Sequence, residues 1–115
     1  MIQKIIIFNE KQEIRLKRIY CKVMNNEEIK KKVLKEKDCN IVDNIIFKKY
    51  SNLYVCFVVA NENELYILGL IDLFMELLAK TFSPLTEINF IYQFSTVYNV
   101  LDKIIVGGYV VDTKF

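Results

Sequence analysis

The chain has 115 residues, 53% of them hydrophobic, and a formal net charge of +2. This length predicts one domain spanning residues 1–115, and the absence of histidine excludes His-based catalytic triads and His metal sites. The cysteines Cys21, Cys39 and Cys56 have no CxxC spacing and predict reduced thiols. Neither paired carboxylates nor a glycine-rich phosphate loop is evident, so we predict no enzyme, no metal site and no cofactor.

Charge is unevenly distributed along the chain. Residues 1–50 carry 13 lysines and arginines against 7 acids, whereas residues 51–115 carry 3 against 7. A basic half favours anionic lipid or an acidic peptide, and a solvated helix face is the alternative. The basic residues lack interleaved aromatics, so we expect no nucleic-acid partner. The apolar stretch 65–78 is shorter than the roughly 20 residues that span a bilayer, and we expect a cytosolic protein.

A hairpin followed by an amphipathic helix is predicted first. The apolar run Ile2–Phe8 indicates a buried strand, and the alternation from Ile14 to Tyr20 indicates a half-exposed partner strand. Asn25 or Asn26 can cap the following helix, whose first turn carries two glutamates where the helix dipole favours acids. Its narrow apolar stripe contains Ile29, Val33 and Leu34. A loop at 38–44 follows, and a short strand at 41–42 is left open.

A second hairpin is predicted next. Ile45–Tyr50 and Leu53–Ala60 are strands joined by a tight turn at residues 51–52. The second strand is apolar nearly throughout, which is typical of a central strand covered on both faces.

A long helix, about Glu64 to Phe82, is predicted to start from Asn61 or Asn63. Its polar positions form one narrow stripe, and the rest of its surface is largely apolar. The stripe consists of Gly69, Asp72, Glu76 and Lys80. One sheet face cannot cover so wide an apolar surface, so we expect this helix to lie between its own sheet and something else.

The last third of the chain predicts shorter elements. Ser83-Pro84 ends the long helix, and residues 85–94 indicate a short helix or an extended crossover. Ser95 is expected to cap a last helix, which Gly107-Gly108 stops before a loose tail at 109–115. Helical spacing marks one apolar face of that helix: Val97, Val100, Leu101, Ile104 and Ile105.

The predicted element order is β-β-α-β-β-α-α, which differs from the strict βαβ alternation of nucleotide-binding sheets. This order predicts an α/β (α+β) fold in which an antiparallel four-stranded or five-stranded sheet is flanked by helices.

Several segments carry a family resemblance when taken in order. Residues 45–55 are IIFKKYSNLYV, residues 87–91 are EINFI, and VLDKIIVGG at 100–108 is followed by Asp112-Thr113. Near the start, IIIFN at 5–9 is followed by Arg15-Leu16. These segments resemble the opening hairpin, the Ile-Ile-Tyr-basic-basic-Tyr-Ala-x-Leu-Tyr-Phe strand and the later motifs of the small (sigma) subunits of clathrin-associated adaptor complexes. The first helix and its loop look about a dozen residues shorter than in that family.

The resemblance implies a longin-like domain that acts, without enzymatic activity, in a heterotetrameric vesicle-coat adaptor complex for intracellular protein transport. The implied partners are two large adaptin subunits, a medium (mu) subunit, the cytosolic tails of membrane cargo and, through the complex, a membrane of the Golgi, endosomes or coated vesicles. Phe8-Asn9 and residues 64–71 favour the endosomal, third adaptor type. The alternative is another longin-type trafficking subunit, such as COPI zeta or a tethering-complex subunit, which lacks a cargo-signal site.

The family also implies candidate site residues. Sigma subunits bind acidic dileucine signals, [Asp/Glu]-x-x-x-Leu-[Leu/Ile], through an apolar pocket and a basic patch shared with a large subunit. By matching, the implied pocket residues are Ser51, Leu53, Met75, Leu85 and Phe90, and Arg15 is the implied contact for the acid. The alternatives are that the leucines and Met75 are core, that Arg15 is solvated, and that Phe90, larger than the family's leucine, fills the pocket itself.

Overall fold

The computed structural model describes residues 1–22, 24–36 and 38–110. The strands are β1 (Ile2–Asn9), β2 (Ile14–Ile19), β3 (Ile41–Val42), β4 (Ile45–Tyr50), β5 (Leu53–Val59), β6 (Ile105–Val106) and β7 (Tyr109–Val110). The helices are α1 (Asn26–Lys35), α2 (Glu64–Thr81), α3 (Glu87–Tyr92) and α4 (Phe94–Ile104). No helix in these ranges is long and apolar enough to cross a membrane.

Strands β1 to β5 form one antiparallel sheet in the order β2-β1-β5-β4-β3. β1 and β5 are central and pair directly with each other, and every residue of β5 is buried, as its apolar sequence predicts. The predicted α+β fold is therefore confirmed, and β3 supplies the fifth strand.

The sheet separates two hydrophobic cores. On one face, Ile29 and Val33 of α1 pack against alternate residues of β1, β4 and β5, including Phe8 and Phe47. On the other face, α2, α3 and α4 cover the remaining side chains of the same strands. Alternation of side chains along apolar strands requires this arrangement, because both faces of β1 and β5 must be removed from water.

Helix α2 is covered by its own chain on more than one side. It begins at Glu64, where the Asn63 side chain accepts a hydrogen bond from the backbone N–H of Tyr66 at 3.1 Å. Its buried residues pack against the sheet and against α4 within one core. The predicted second covering layer is thus α4. Large apolar side chains of α2 remain exposed only at its start, at Leu65 and Tyr66.

Three predictions near the end of the chain are wrong. Helix α4 begins at Phe94 with Gln93 at the cap position, because the short helix α3 ends immediately before it, and Ser95 therefore lies inside the first turn. The Gly107-Gly108 pair is the turn of a small hairpin that joins β6 to β7, with φ values of +60° and +89°. Residues 109–110 accordingly form a strand and no loose tail.

The remainder of the predicted tail, residues 111–115, lies outside the described residues, as does the Asp112-Thr113 part of the family resemblance. Residues 85–94 contain the short helix α3, one of the two predicted alternatives.

A charged link joins β4 to α2 across the sheet edge. The Lys48 ammonium contacts both carboxylate oxygens of Asp72 at 2.8 Å, and the Tyr50 hydroxyl also donates to that carboxylate. These contacts, first from Lys48 and then from Tyr50, lower the pKa of Asp72. Burial, with the neighbouring carboxylate, raises the pKa of the Tyr50 phenol. One polar residue of α2 thus links the helix to β4.

We expect Asp72→Asn to destabilise the fold at neutral pH by up to about 1 kcal/mol, the scale of an exposed ion pair. A carboxyl group with a lowered pKa in the folded state contributes stability above its unfolded pKa of about 3.9 and loses it as the pH falls further. Urea unfolding at pH 7 and at about pH 3 measures the difference between wild type and variant, which shrinks at the lower pH. An equal difference at both values would contradict the assigned ion pair.

The β6–β7 turn provides a second test. Ile2 donates its backbone N–H to the Gly108 carbonyl at 2.7 Å, and a Cβ on Gly108 would overlap the carbonyl oxygen of Ile2. Gly107 has a similar positive φ but open space around it. Gly107→Ala should therefore cost about 1–2 kcal/mol from backbone strain alone.

Gly108→Ala should cost more than Gly107→Ala, at about 3 kcal/mol, because steric overlap adds to the same backbone strain. Urea midpoints of the two variants measure this order. Equal midpoints would show that the hairpin does not dock on β1.

Candidate functional site

An apolar pocket of about 400 Å³ lies where the β4–β5 turn, the middle of α2 and the segment after Pro84 meet. The residues that line it are Tyr50, Ser51, Asn52, Leu53, Met75, Leu85, Thr86, Glu87 and Ile88. Its volume falls within the range of small-molecule sites.

Four of the predicted pocket residues meet in this pocket. Ser51 lies in the hairpin turn, with a positive φ of 56°, and Leu53 begins β5 directly after it. Met75 reaches the pocket from α2, and Leu85 lies four residues beyond Thr81, the last residue of α2. Leu53 and Met75 are buried, whereas Leu85 is half-buried. Side chains from three separate stretches of sequence therefore converge on one hollow, and Leu85 keeps part of its apolar surface exposed.

Phe90 does not line this pocket. It is 2% exposed and packs in the core beneath α3. It borders a separate hollow of about 310 Å³ between β2, α3 and α4. An α-helix advances about 100° per residue, so Ile88 faces the pocket while Phe90, two residues later, faces inward. Phe90 therefore does not fill the pocket, and Ile88 lines the wall in its place.

Arg15 lies beside the pocket and already contacts two carboxylates of this chain. Its Nε atom donates to Oε1 of Glu87 at 3.1 Å, and its Nη2 atom lies 3.5 Å from Oε1 of Glu13. The buried Asn9 amide donates to the same two glutamates, at 2.7 Å to Glu87 and 3.0 Å to Glu13. The hydrogen bonds from Asn9 and then Arg15 lower the pKa of Glu87.

A polar hollow of about 380 Å³ connects Arg15 to the apolar pocket. It shares the walls formed by Asn52 and Glu87 with that pocket. Its other lining residues are Asn9, Glu10, Lys11, Glu13 and Arg15. The arrangement places an apolar hollow next to a charged one, which suits a ligand with apolar side chains at one end and polar groups at the other. Within the described residues, no group of His, Cys, Asp or Glu side chains is placed to hold a metal ion.

Sequence reasoning missed Tyr50, Glu87 and Ile88 as neighbours of the predicted residues. Tyr50 directly precedes the predicted turn residues, so the predicted hairpin alone would have placed it beside them. Glu87 and Ile88 depend on the first turn of α3, whose helical conformation was one of two alternatives. A helical assignment of that segment would have separated Ile88 from Phe90 by face.

Comparisons with known proteins agree with the fold. The family model for the clathrin adaptor complex small chain matches residues 1–115. The human AP-1 complex subunit sigma-3 is 30% identical over 129 residues, which cover 99% of this chain and 82% of that protein. The human AP-3 complex subunit sigma-2 is 32% identical over 135 residues, which cover 99% of this chain and 69% of that protein.

A structural comparison gives the same answer. A chain of a homology model of the full-length AP-3 complex in a stretched open conformation superposes with a TM-score of 0.73 at 28% identity, covering 99% of this chain and 86% of that chain. The relatives include both AP-1 and AP-3 subunits at similar identity, so the assignment to the third adaptor type stays a prediction. The matched family consists of adaptor subunits and is not a family of enzymes. The family resemblance of the sequence is confirmed, and this chain belongs to the clathrin adaptor complex small chain family.

Proposed function

We propose that this chain is the small subunit of a heterotetrameric adaptor complex in vesicle-mediated protein transport, assembled with two large adaptins and a medium (mu) subunit. The complex acts at the cytosolic surface of Golgi, endosomal or coated-vesicle membranes. Family membership and the AP-1 and AP-3 relatives support this assignment.

Exposed apolar side chains on α3 and the start of α4 support a protein partner. Large apolar side chains at this place are 42% to 78% exposed. They are Ile91, Tyr92 and Phe94. Such a cluster is typical of a protein contact surface, and we propose that it packs against a large subunit. The wide apolar surface of α2, for which the sequence predicts a second covering layer, is covered largely by α4.

We further propose that the apolar pocket binds the two leucines of a dileucine sorting signal on a cargo tail. The observation that carries this proposal is the convergence of Ser51, Leu53, Met75 and Leu85 on one partly open pocket. Burial of each leucine contributes about 1.5–3 kcal/mol. Association costs leave an expected affinity in the micromolar range, which suits reversible capture of cargo.

The contact proposed between the acidic residue of the signal and Arg15 is less direct. Arg15 lies beside the pocket, where an acidic residue upstream of the leucines would pass. An incoming carboxylate would compete there with Glu87 and Glu13, which already contact the guanidinium.

Titration of the purified chain with a fluorescent dileucine peptide tests the pocket. We expect micromolar binding that is lost when both leucines of the peptide are replaced by alanine. Leu85→Ser removes half-buried apolar surface from the pocket wall and should weaken binding about tenfold.

Leu65→Ser is the matched control, because Leu65 is exposed on α2 away from the pocket. It should leave the affinity unchanged. Equal binding of the dileucine and dialanine peptides to the wild-type chain, with circular dichroism showing that the chain is folded, would rule out the pocket as the signal site.

A further inference from the structure

Three side chains of β1 and β2 form a basic surface on the face of the sheet that carries α1. Lys4 of β1 lies directly opposite Ile19 of β2, and Lys17 of β2 lies opposite Ile6. Ile6 packs in the core beneath α1. Side chains that are directly opposite, or two residues apart on one strand, project from the same face. Lys4, Lys17 and Ile19 therefore share this face, and we call them the β1–β2 basic surface. The apolar pocket lies on the other face, which α2 covers.

Lys4 is nearly buried without a counter-ion. Its side chain is 5% exposed, although lysine is almost never buried unless it is paired. Its ammonium donates to the Met24 carbonyl at 3.4 Å, a distance beyond the usual range of a hydrogen bond. Burial, and then the charge of Lys17, lower the pKa of Lys4. Since an ammonium has three N–H donors, most of its donor capacity has no acceptor among the described residues.

The acids closest to Met24 in the sequence do not neutralise this surface. Glu27 pairs with Lys30 at 3.2 Å, and Glu28 lies 3.8 Å from the ammonium of Lys32. Both acids are therefore engaged by lysines of α1. Within the part of the chain that the structure describes, no carboxylate lies at ion-pair distance from Lys4 or Lys17. The β1–β2 basic surface thus carries two positive charges that lack an internal counter-ion.

Two features of this surface indicate the kind of anion that suits it. Because the Lys4 side chain is recessed, a side-chain carboxylate of an extended segment reaches its ammonium more readily than a flat bilayer surface does. Ile19, directly opposite Lys4, is 53% exposed and offers an apolar contact that a free inorganic anion does not use. Charge and shape together favour an acidic protein segment that also contains an apolar residue.

We propose that the β1–β2 basic surface binds an acidic segment of a partner protein, with one carboxylate on the Lys4 ammonium, a second near Lys17 and an apolar side chain on Ile19. The first carboxylate accepts the unused N–H groups of Lys4, and its charge offsets the cost of burying the ammonium. This interaction surface lies on the face of the sheet opposite to the apolar pocket and does not depend on what that pocket binds.

The test is fluorescence anisotropy of the purified chain with a short labelled peptide of glutamates around one valine. A single valine avoids the leucine pair proposed for the apolar pocket. We expect binding that weakens as salt is added, because salt screens the exposed charges of the peptide and of Lys17. The same peptide with glutamines in place of the glutamates should not bind.

Lys4→Met keeps the apolar part of the side chain and removes the charge. It should weaken binding of the acidic peptide about tenfold, the effect of one hydrogen bond to a charged group. Lys103→Met is the matched control, because Lys103 is an exposed lysine of α4, which covers the other face of the sheet. It removes the same charge and should leave the affinity within about twofold of the wild type.

Urea unfolding of Lys4→Met is a second readout that separates binding from a structural role. Removal of a buried ammonium without a counter-ion should leave the unfolding midpoint unchanged or raise it. A lowered midpoint would show that Lys4 serves the stability of the fold, and it would overturn the proposal.

Three binding results would also overturn the proposal. They are the absence of wild-type binding to the acidic peptide at low salt, an unchanged affinity in Lys4→Met, and an equal loss of affinity in Lys4→Met and Lys103→Met. Sedimentation with phosphatidylserine vesicles tests the membrane alternative. Vesicle binding that requires Lys4, without peptide binding, would assign the surface to a membrane and overturn the protein partner. These results leave the dileucine proposal for the apolar pocket unaffected.

Discussion

The central pair of strands, β1 and β5, imposes the constraint on which the rest of the structure depends. Both strands are apolar on both faces, and all seven residues of β5 are buried. A strand of this kind is stable only if each face of the sheet is covered. α1 covers one face, and α2 with α4 covers the other, so the positions of the helices follow from the composition of two strands.

The candidate site lies at the edge of the layer formed by α2 and α4. The turn between β4 and β5 brings Ser51 and Leu53 to one end of the sheet, and Lys48 and Tyr50 of the same hairpin hold α2 through Asp72. The site is therefore formed by elements that the fold already fixes relative to one another. Only the segment from Pro84 into α3 adds a wall that is not part of the sheet or of α2.

The same placement separates the apolar and charged halves of the site. The apolar half is formed largely by β5 and α2, whose residues Leu53 and Met75 belong to the hydrophobic core. The charged half depends on the β1–β2 turn. There the Asn9 amide donates hydrogen bonds to Glu13 and Glu87, the two carboxylates that contact Arg15. The apolar and charged halves of the site therefore depend on different parts of the chain.

The sequence predicted what local chemistry determines. The caps at Asn25 and Asn63 accept hydrogen bonds from the first turns of α1 and α2, as their residue type indicates. The alternating and continuous apolar patterns in the sequence predicted the positions of β1, β2, β4 and β5. Ser95 failed as a cap because α3 ends directly before α4, and this depends on a neighbouring element.

Contacts between distant segments were less accessible from sequence. The Gly107-Gly108 pair was predicted to stop a helix but forms a hairpin turn, because its carbonyl finds a partner at Ile2, more than a hundred residues away. Phe90 was predicted to line the pocket from its position in the family motif, whereas the helical period of α3 places its side chain in the core. The pairing of Arg15 with Glu87 joins β2 to α3 and has no local signature.

The most direct test of the assignment to an adaptor complex is affinity purification of the tagged chain from its own cells, with mass spectrometry of the proteins that accompany it. The account predicts two large adaptins and a medium subunit in amounts comparable to the tagged chain. Recovery of coatomer subunits, of tethering-complex subunits, or of the chain alone would contradict it.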